Sequence, residues 1–256
     1  MTRALRALSS AYVERRGEAV RRTLDSAGKR AAFALFYAPL HFLTTYLIVR
    51  ALDAQQPAPR SILDIGCGTG AAGAAWAIAA GGTPSVIGID RHPWAVEEAN
   101  WTYRRLDLEG RARRGELMRL PPLRPGTAVV AAYVLNELHA TRREQLEDWL
   151  IEAVKRGVRV LVVEPIARGV TPWWSLTASR IEEAGGRKDE WRFPVDLPPR
   201  LRLLDKAARL DHRELTARSL YIPAPEHLST REPGKPTFRT WTPPGSQPGN
   251  DVRNRD

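Results

Sequence analysis

From Ser61 onward the chain alternates short apolar runs with longer stretches of helical period. "SILDI" (61–65), "SVIGID" (85–90), "AVVAAYVL" (128–135) and "RVLVVE" (159–164) are continuous in their apolarity and of strand length. Between them an alanine-rich segment over 70–80, stopped by Gly81 and Gly82, predicts a helix. Pro93 suits the first turn of another that runs to about Arg105. A short third strand is expected to end near Glu116. Thr141 and Glu144 read as a capping box for a helix that carries Leu146, Trp149, Leu150, Ala153 and Val154 on one face. Beyond residue 175 the pattern predicts a helix to about 184, a strand over 190–193, a helix over 199–209 and a strand over 215–222. Buried strands alternating with helices make an α/β domain, its mostly parallel sheet covered on both faces.

The first 57 residues have a different rhythm. Residues 2–27 predict a basic amphipathic helix, broken between Ser26 and Gly28, and the apolar segment 31–52 a second one, bent near Pro39. Residues 31–49 hold no formal charge and reach the minimum membrane-spanning length. Pro39, His41, Thr44 and Thr45 interrupt them, so a buried cap is expected and no membrane contact. "DAQQPAPR" (53–60) reads as a linker. The expected division is a helical cap (1–57), an α/β domain (58–225) and a disordered basic tail (226–256), the last rich in proline and without apolar period.

Composition narrows the chemistry. A single cysteine removes disulfides, four-cysteine zinc sites and all-cysteine iron–sulfur clusters, and no metal is expected. The charged N-terminus has no export signal, which with the cysteine usage points to the cytoplasm. A net charge of +10 favours acidic partners such as nucleic acid.

The first strand runs into "DIGCGTG" (64–70), where a glycine-rich turn brings backbone N–H groups close to a ligand. Gly66, Gly68 and Ala71 satisfy a relaxed dinucleotide fingerprint, but Asp64 occupies a strand position that dinucleotide folds keep apolar. That acid needs a partner and can reach a cationic amino group. The stretch resembles the first motif of class I S-adenosylmethionine (AdoMet) methyltransferases, and the likeness continues to Asp90 at the end of the second strand. It implies a Rossmann-like fold of seven strands plus the N-terminal cap. It also implies AdoMet as cofactor, held by Asp64, Gly66, Gly68, Gly70, Asp90 (ribose hydroxyls) and Glu116 (adenine end).

Substrate belongs at the carboxyl ends of the strands, where "AYVLNELHA" places Asn136, Glu137 and His139 as candidate catalytic groups. Trp173 and Trp174 are candidates to stack on a base. The order of cap, first motif, "YVLNEL" and "LVVEP" resembles a methyltransferase-like family associated with the small ribosomal subunit of bacteria and mitochondria. That likeness implies Tyr37 and His41 over the AdoMet pocket, and ribosomal RNA or the small subunit as partner of a monomer. The sequence departs from the family in lacking its C-terminal cysteine set. A small-molecule acceptor enclosed by the cap, and an assembly factor that binds AdoMet without transferring methyl groups, are the alternative readings.

Overall fold

In the computed structural model, residue 24 and residues 26–117, 120–167 and 171–224 are described. The expected tail and all but the end of the expected 2–27 helix lie outside them. Seven strands form one sheet: β1 (Ser61–Ile65), β2 (Ser85–Asp90), β3 (Gly110–Arg114), β4 (Thr127–Ala132), β5 (Arg159–Glu164), β6 (Arg187–Pro194) and β7 (Glu214–Ile222). Their order is β3-β2-β1-β4-β5-β7-β6, and β7 runs antiparallel to both its neighbours. The expected mostly parallel, Rossmann-like sheet is therefore present. Strand order reverses between β1 and β4, which opens a crevice at their carboxyl ends.

The helices are α1 (Ala27–Ala51), α2 (Ala71–Ala79), α3 (Pro93–Arg105), α4 (Ala140–Lys155), α5 (Trp174–Glu183) and α6 (Pro199–Ala207). Alternation along the strands builds two cores. Ile62, Val86, Val130, Leu161 and Ala217 meet α1, α2, α3 and α6 on one face. Leu63, Ile65, Val129, Val162 and Leu220 meet α4 and α5 on the other.

Three local expectations are corrected. The bend near Pro39 is a widened turn over Phe33–Tyr37, in which Ala38 donates its N–H to Phe33 O five residues back. A proline ring crowds the carbonyl four residues before it, and the wider turn relieves that contact without ending the helix. The capping box of Thr141 and Glu144 does not form, because α4 already starts at Ala140 with His139 as its N-cap. β4 stops at Ala132, short of the predicted Leu135, where Tyr133 turns into the left-handed region at φ +61°.

The predicted linker is a packed joint. Ala54 is fully buried, and its carbonyl accepts from Trp76 Nε1 of α2 (3.2 Å) and Arg159 Nη1 of β5 (2.8 Å). The boundary at residue 57 thus separates no two cores: Phe36, Leu40, Ile48 and Val49 of α1 belong to the same cluster as the sheet. By length and composition α1 could cross a membrane; here its apolar side covers the strands.

Trp76 is the largest fully buried side chain. Trp76→Ala is expected to cost about 3–5 kcal/mol through its cavity, and Trp76→Phe about 1 kcal/mol through the bond lost at Ala54 O. Urea unfolding of both variants checks this ordering, which a linker packed only loosely would reverse or erase.

Candidate cofactor and active site

The turn from β1 to α2 is built by glycines in the left-handed region: Gly66 (φ +62°), Gly68 (φ +52°) and Gly70 (φ +78°). At two of them space is also decisive. A Cβ on Gly66 would lie 2.6 Å from Val134 Cγ2, and one on Gly70 2.7 Å from the Tyr103 ring. Behind the turn, Asp64 is 1% exposed and its Oδ2 accepts the N–H of Gly73 at 2.8 Å. In front of it, Asp90 Oδ2 accepts the N–H of Gly68 (3.0 Å) and Oδ1 that of His92 (2.8 Å).

The crevice holds a pocket of about 370 Å³. Gly66, Gly68, Asp90 and Glu116 line it, together with Phe33 and His41 of α1, Tyr133 and Glu137. Arg91, His92, Leu138 and Arg142 complete the wall. The His41 imidazole stacks on the Tyr133 ring at 3.9 Å, with the Phe33 edge 6.0 Å away. Burial pushes the His41 pKa down to about 3, so the ring is neutral at physiological pH. Glu137, on the 3-10 turn Leu135–Glu137, has its pKa raised to about 7, mainly by burial and further by Asp90, against the opposing charge of Arg91.

The pocket therefore brings together Gly66, Gly68, Asp90, Glu116, Glu137 and His41. It excludes several other candidates. Asp64 and Gly70 lie behind the turn and hold its backbone, Asp64 being already engaged with Gly73. Tyr37 packs on Phe36 and stands beside His41 without reaching the pocket wall. Asn136 carries its side chain into the protein, with Oδ1 buried and without a hydrogen-bond partner. His139 is exposed at the start of α4. Trp173 and Trp174 lie under Arg143 and Arg218 (4.9 and 4.7 Å), and Trp174 lines a second cavity, of about 620 Å³, against β6. Sequence reasoning missed Tyr133, Arg91, His92 and Arg142. A tyrosine directly after an apolar strand at a crevice was the one available signal.

Comparison with known proteins bears on this geometry. Residues 62–158 match the family described as a methyltransferase domain. No curated protein matches. Among solved structures, one resembling it is a Nostoc punctiforme protein assigned as an O-methyltransferase: 17% identity, TM-score 0.50, 86% of this chain and 69% of that one. Magnesium protoporphyrin IX methyltransferase of Synechocystis, with S-adenosylhomocysteine bound, gives 16%, 0.48, 71% and 82%. The plantazolicin methyltransferase BpumL, also with that product, gives 13%, 0.47, 86% and 95%. The fold is the Rossmann-like class I methyltransferase fold. With the matched domain, it makes this chain an enzyme of the AdoMet-dependent methyltransferase class.

Burial raises the Asp64 pKa to about 7, and Asp90 adds to the rise while the Gly73 bond opposes it. A carboxyl held above its unfolded value keeps its proton longer in the native state. Stability therefore falls as pH rises from about 4 to about 7. Asp64→Asn removes this dependence while keeping an acceptor for Gly73. Its stability relative to wild type is expected to increase between pH 5 and pH 8 by on the order of 1–3 kcal/mol. Urea unfolding at both pH values tests this; a constant difference would mean the carboxyl is ionised throughout.

Proposed function

We propose that this enzyme binds AdoMet in the crevice between β1 and β4 and transfers its methyl group to RNA, with Glu137 as the general base. The observation that carries the cofactor assignment is the set of carboxylates on the pocket wall, Asp90, Glu116 and Glu137. They suit a ligand with ribose hydroxyls, an adenine amine and a positive sulfonium. The His92 Nδ1, buried without a partner in that wall, leaves a further polar group for it. In this reading the Gly66–Gly68 backbone and Asp90 hold the amino-acid and ribose portions, and Glu116 lies at the adenine end.

AdoMet supplies an electrophilic methyl group, and transfer is an in-line displacement that needs alignment and a dry site. Phe33, His41 and Tyr133 provide a dry aromatic wall. The neutral His41–Tyr133 stack offers a flat surface on which a planar acceptor can be laid. Glu137, with its pKa near neutrality, accepts the acceptor's proton when that atom is a hydroxyl or a protonated amine.

The acceptor is assigned from the surface around the pocket. Arg104 and Arg105 at the end of α3, Arg111, Arg113 and Arg114 on edge strand β3, and Arg142 at the pocket wall are all exposed. Among the described residues none of these guanidiniums has a hydrogen bond or ion pair. Beside them Trp101 is 54% exposed. β3 leads directly into Gly115 and Glu116 of the pocket, so this strip supports a phosphate backbone running to the site, and ribosomal RNA in the cytoplasm as its source. A small acceptor seated wholly within the aromatic wall is the second reading, supported by the enclosure that α1 gives to His41.

Calorimetry is expected to show AdoMet binding that Asp90→Ala weakens by about 1–3 kcal/mol through lost charge-assisted bonds to the ribose. As Glu137 ionises, affinity for cationic AdoMet should rise with pH relative to S-adenosylhomocysteine, and Glu137→Gln should flatten that ratio. Preference for NADH over AdoMet would overturn the cofactor assignment.

For the acceptor, Arg111→Ser, Arg113→Ser and Arg114→Ser combined should weaken RNA binding. They should also reduce the slope of log affinity against log salt by roughly one for each phosphate no longer neutralised. An unchanged slope, with labelled methyl appearing only in small molecules of a cell extract, would favour the second reading.

A further inference from the structure

Glu164, the last residue of β5, is completely buried, and its Oε1 accepts two backbone N–H groups, Leu135 (2.8 Å) and Asn136 (3.3 Å). These are two of the three residues of the turn that carries Glu137. Glu164 Oε2 and Asn136 Oδ1, an acid oxygen and an amide oxygen attached to the same turn, are both buried without a hydrogen-bond partner. Unpartnered buried oxygens are costly, an ionised one most of all, and a proton on Glu164 removes that buried charge. Within the turn, the Glu137 N–H donates to Val134 O at 3.0 Å and the Leu138 N–H to Leu135 O at 3.2 Å. The turn follows Tyr133 at φ +61°, a conformation unfavourable for a bulky residue, whose N–H is tied to Val163 O of the same strand β5 at 2.7 Å.

We propose that Glu164 is the positioning residue for Glu137: one oxygen fixes the turn that presents Glu137, and the other carries a proton, so that Glu137 is the single charge of the pair. This rests on the proposed role of Glu137 in the pocket. The surrounding charges agree with it. Glu164 faces Glu137 on the turn, Tyr133 at the end of β4 and Arg218 opposite it on β7. The Arg218 guanidinium also donates to Pro165 O, Ile166 O and Thr171 Oγ1. Glu137 faces Asp90 and Arg91 at the end of β2. The Glu164 pKa is raised to about 8, mainly by burial and further by Glu137, against the opposing Asn136 and Leu135 bonds and the charge of Arg218. Burial favours the protonated form of both coupled carboxyls, and Glu164 is the one wholly enclosed while Glu137 reaches the pocket, so the proton is assigned to Glu164.

The test is a pH titration of the full chain carrying 13C in the glutamate side-chain carboxyls. The Glu137 and Glu164 resonances are identified by their loss in Glu137→Gln and Glu164→Gln. Two midpoints well above the ordinary carboxylate range are expected, Glu164 the higher. In Glu137→Gln the Glu164 midpoint should fall by roughly half a pH unit or more, because a neighbouring negative charge is gone. Glu164→Gln mimics the protonated state, so it should keep the Glu137 midpoint and the AdoMet affinity within about twofold of wild type.

Glu164→Leu, which offers the turn no acceptor, should shift the Glu137 midpoint or weaken AdoMet several-fold, and Glu164→Gln is the rescue. If Glu164→Leu does not fold, the two glutamine variants still decide. A Glu164 midpoint in the ordinary range, or one indifferent to Glu137→Gln, overturns the proposal. Coupled midpoints in a protein that ignores AdoMet would instead leave the pair intact and remove the cofactor assignment.

Discussion

One hydrogen bond organises the glycine turn beside the pocket: the buried Asp64 carboxyl accepting the Gly73 N–H across the β1–α2 turn. A helix leaves its first N–H groups without intrahelical partners, and Gly73 is the third residue of α2. By supplying one acceptor from the strand below, Asp64 fixes where α2 begins relative to β1. The intervening residues then have little choice but the left-handed glycine conformations of 66, 68 and 70. The approach is too close for any other residue at 73, since a Cβ there would meet Asp64 Oδ2 at 2.9 Å and Val86 at 2.8 Å. Asp90 repeats the arrangement on the pocket side with Gly68. The turn is thus held between two carboxylates, one structural and one facing the pocket.

The wall formed by Tyr133 and Glu137 depends on a second departure from regular structure. β4 could have continued through Val134 and Leu135, both apolar and both buried. It stops because Tyr133 turns, and that turn brings its ring under His41 and aims Glu137 at the crevice. Such a residue persists only where its surroundings over-determine it. Here they do: the Val163 carbonyl takes its N–H, the His41 ring covers its face, and Glu164 holds the residues that follow. The cap helix and the sheet therefore share one site. α1 contributes Phe33, from its widened turn, and His41.

Much of the architecture was legible because it is written in periods. Apolar runs of strand length separated by helical stretches identified the sheet, and Asp64 with Asp90 identified the crevice side of two strands. What periodicity could not carry is the choice between a side chain facing the pocket and one facing the interior of the same turn. Asn136, Glu137 and His139 stand within four residues, yet only Glu137 reaches the pocket. The 3-10 geometry rotates Asn136 inward and leaves His139 capping a helix. Asp64 shows a related limit. A buried acid signals a nearby partner, and the sequence does not reveal that the backbone N–H of Gly73 is one. The linker failed as a reading because its polar composition hid what the backbone does: Ala54 O is an acceptor for two elements far away in sequence.

The distribution of charge completes the connection between fold and function. In the second half of the chain several arginines are spent on structure. Arg180 bridges α5 to Glu147 of α4 at 2.7 Å, Arg192 pairs with Glu214 across β6 and β7, and Arg218 joins β7 to the segment after β5. At the opposite edge Arg111, Arg113 and Arg114 have no such employment, although β3 is itself protected as an edge. There the Asn100 side chain accepts from Ala112 N and donates to Ala112 O, occupying the peptide group that another strand would use. Strand addition is thereby blocked, and the guanidiniums of this edge stay exposed to solvent. Arg111, Arg113 and Arg114 therefore stand on a strand that leads directly into the pocket, on its Glu116 side.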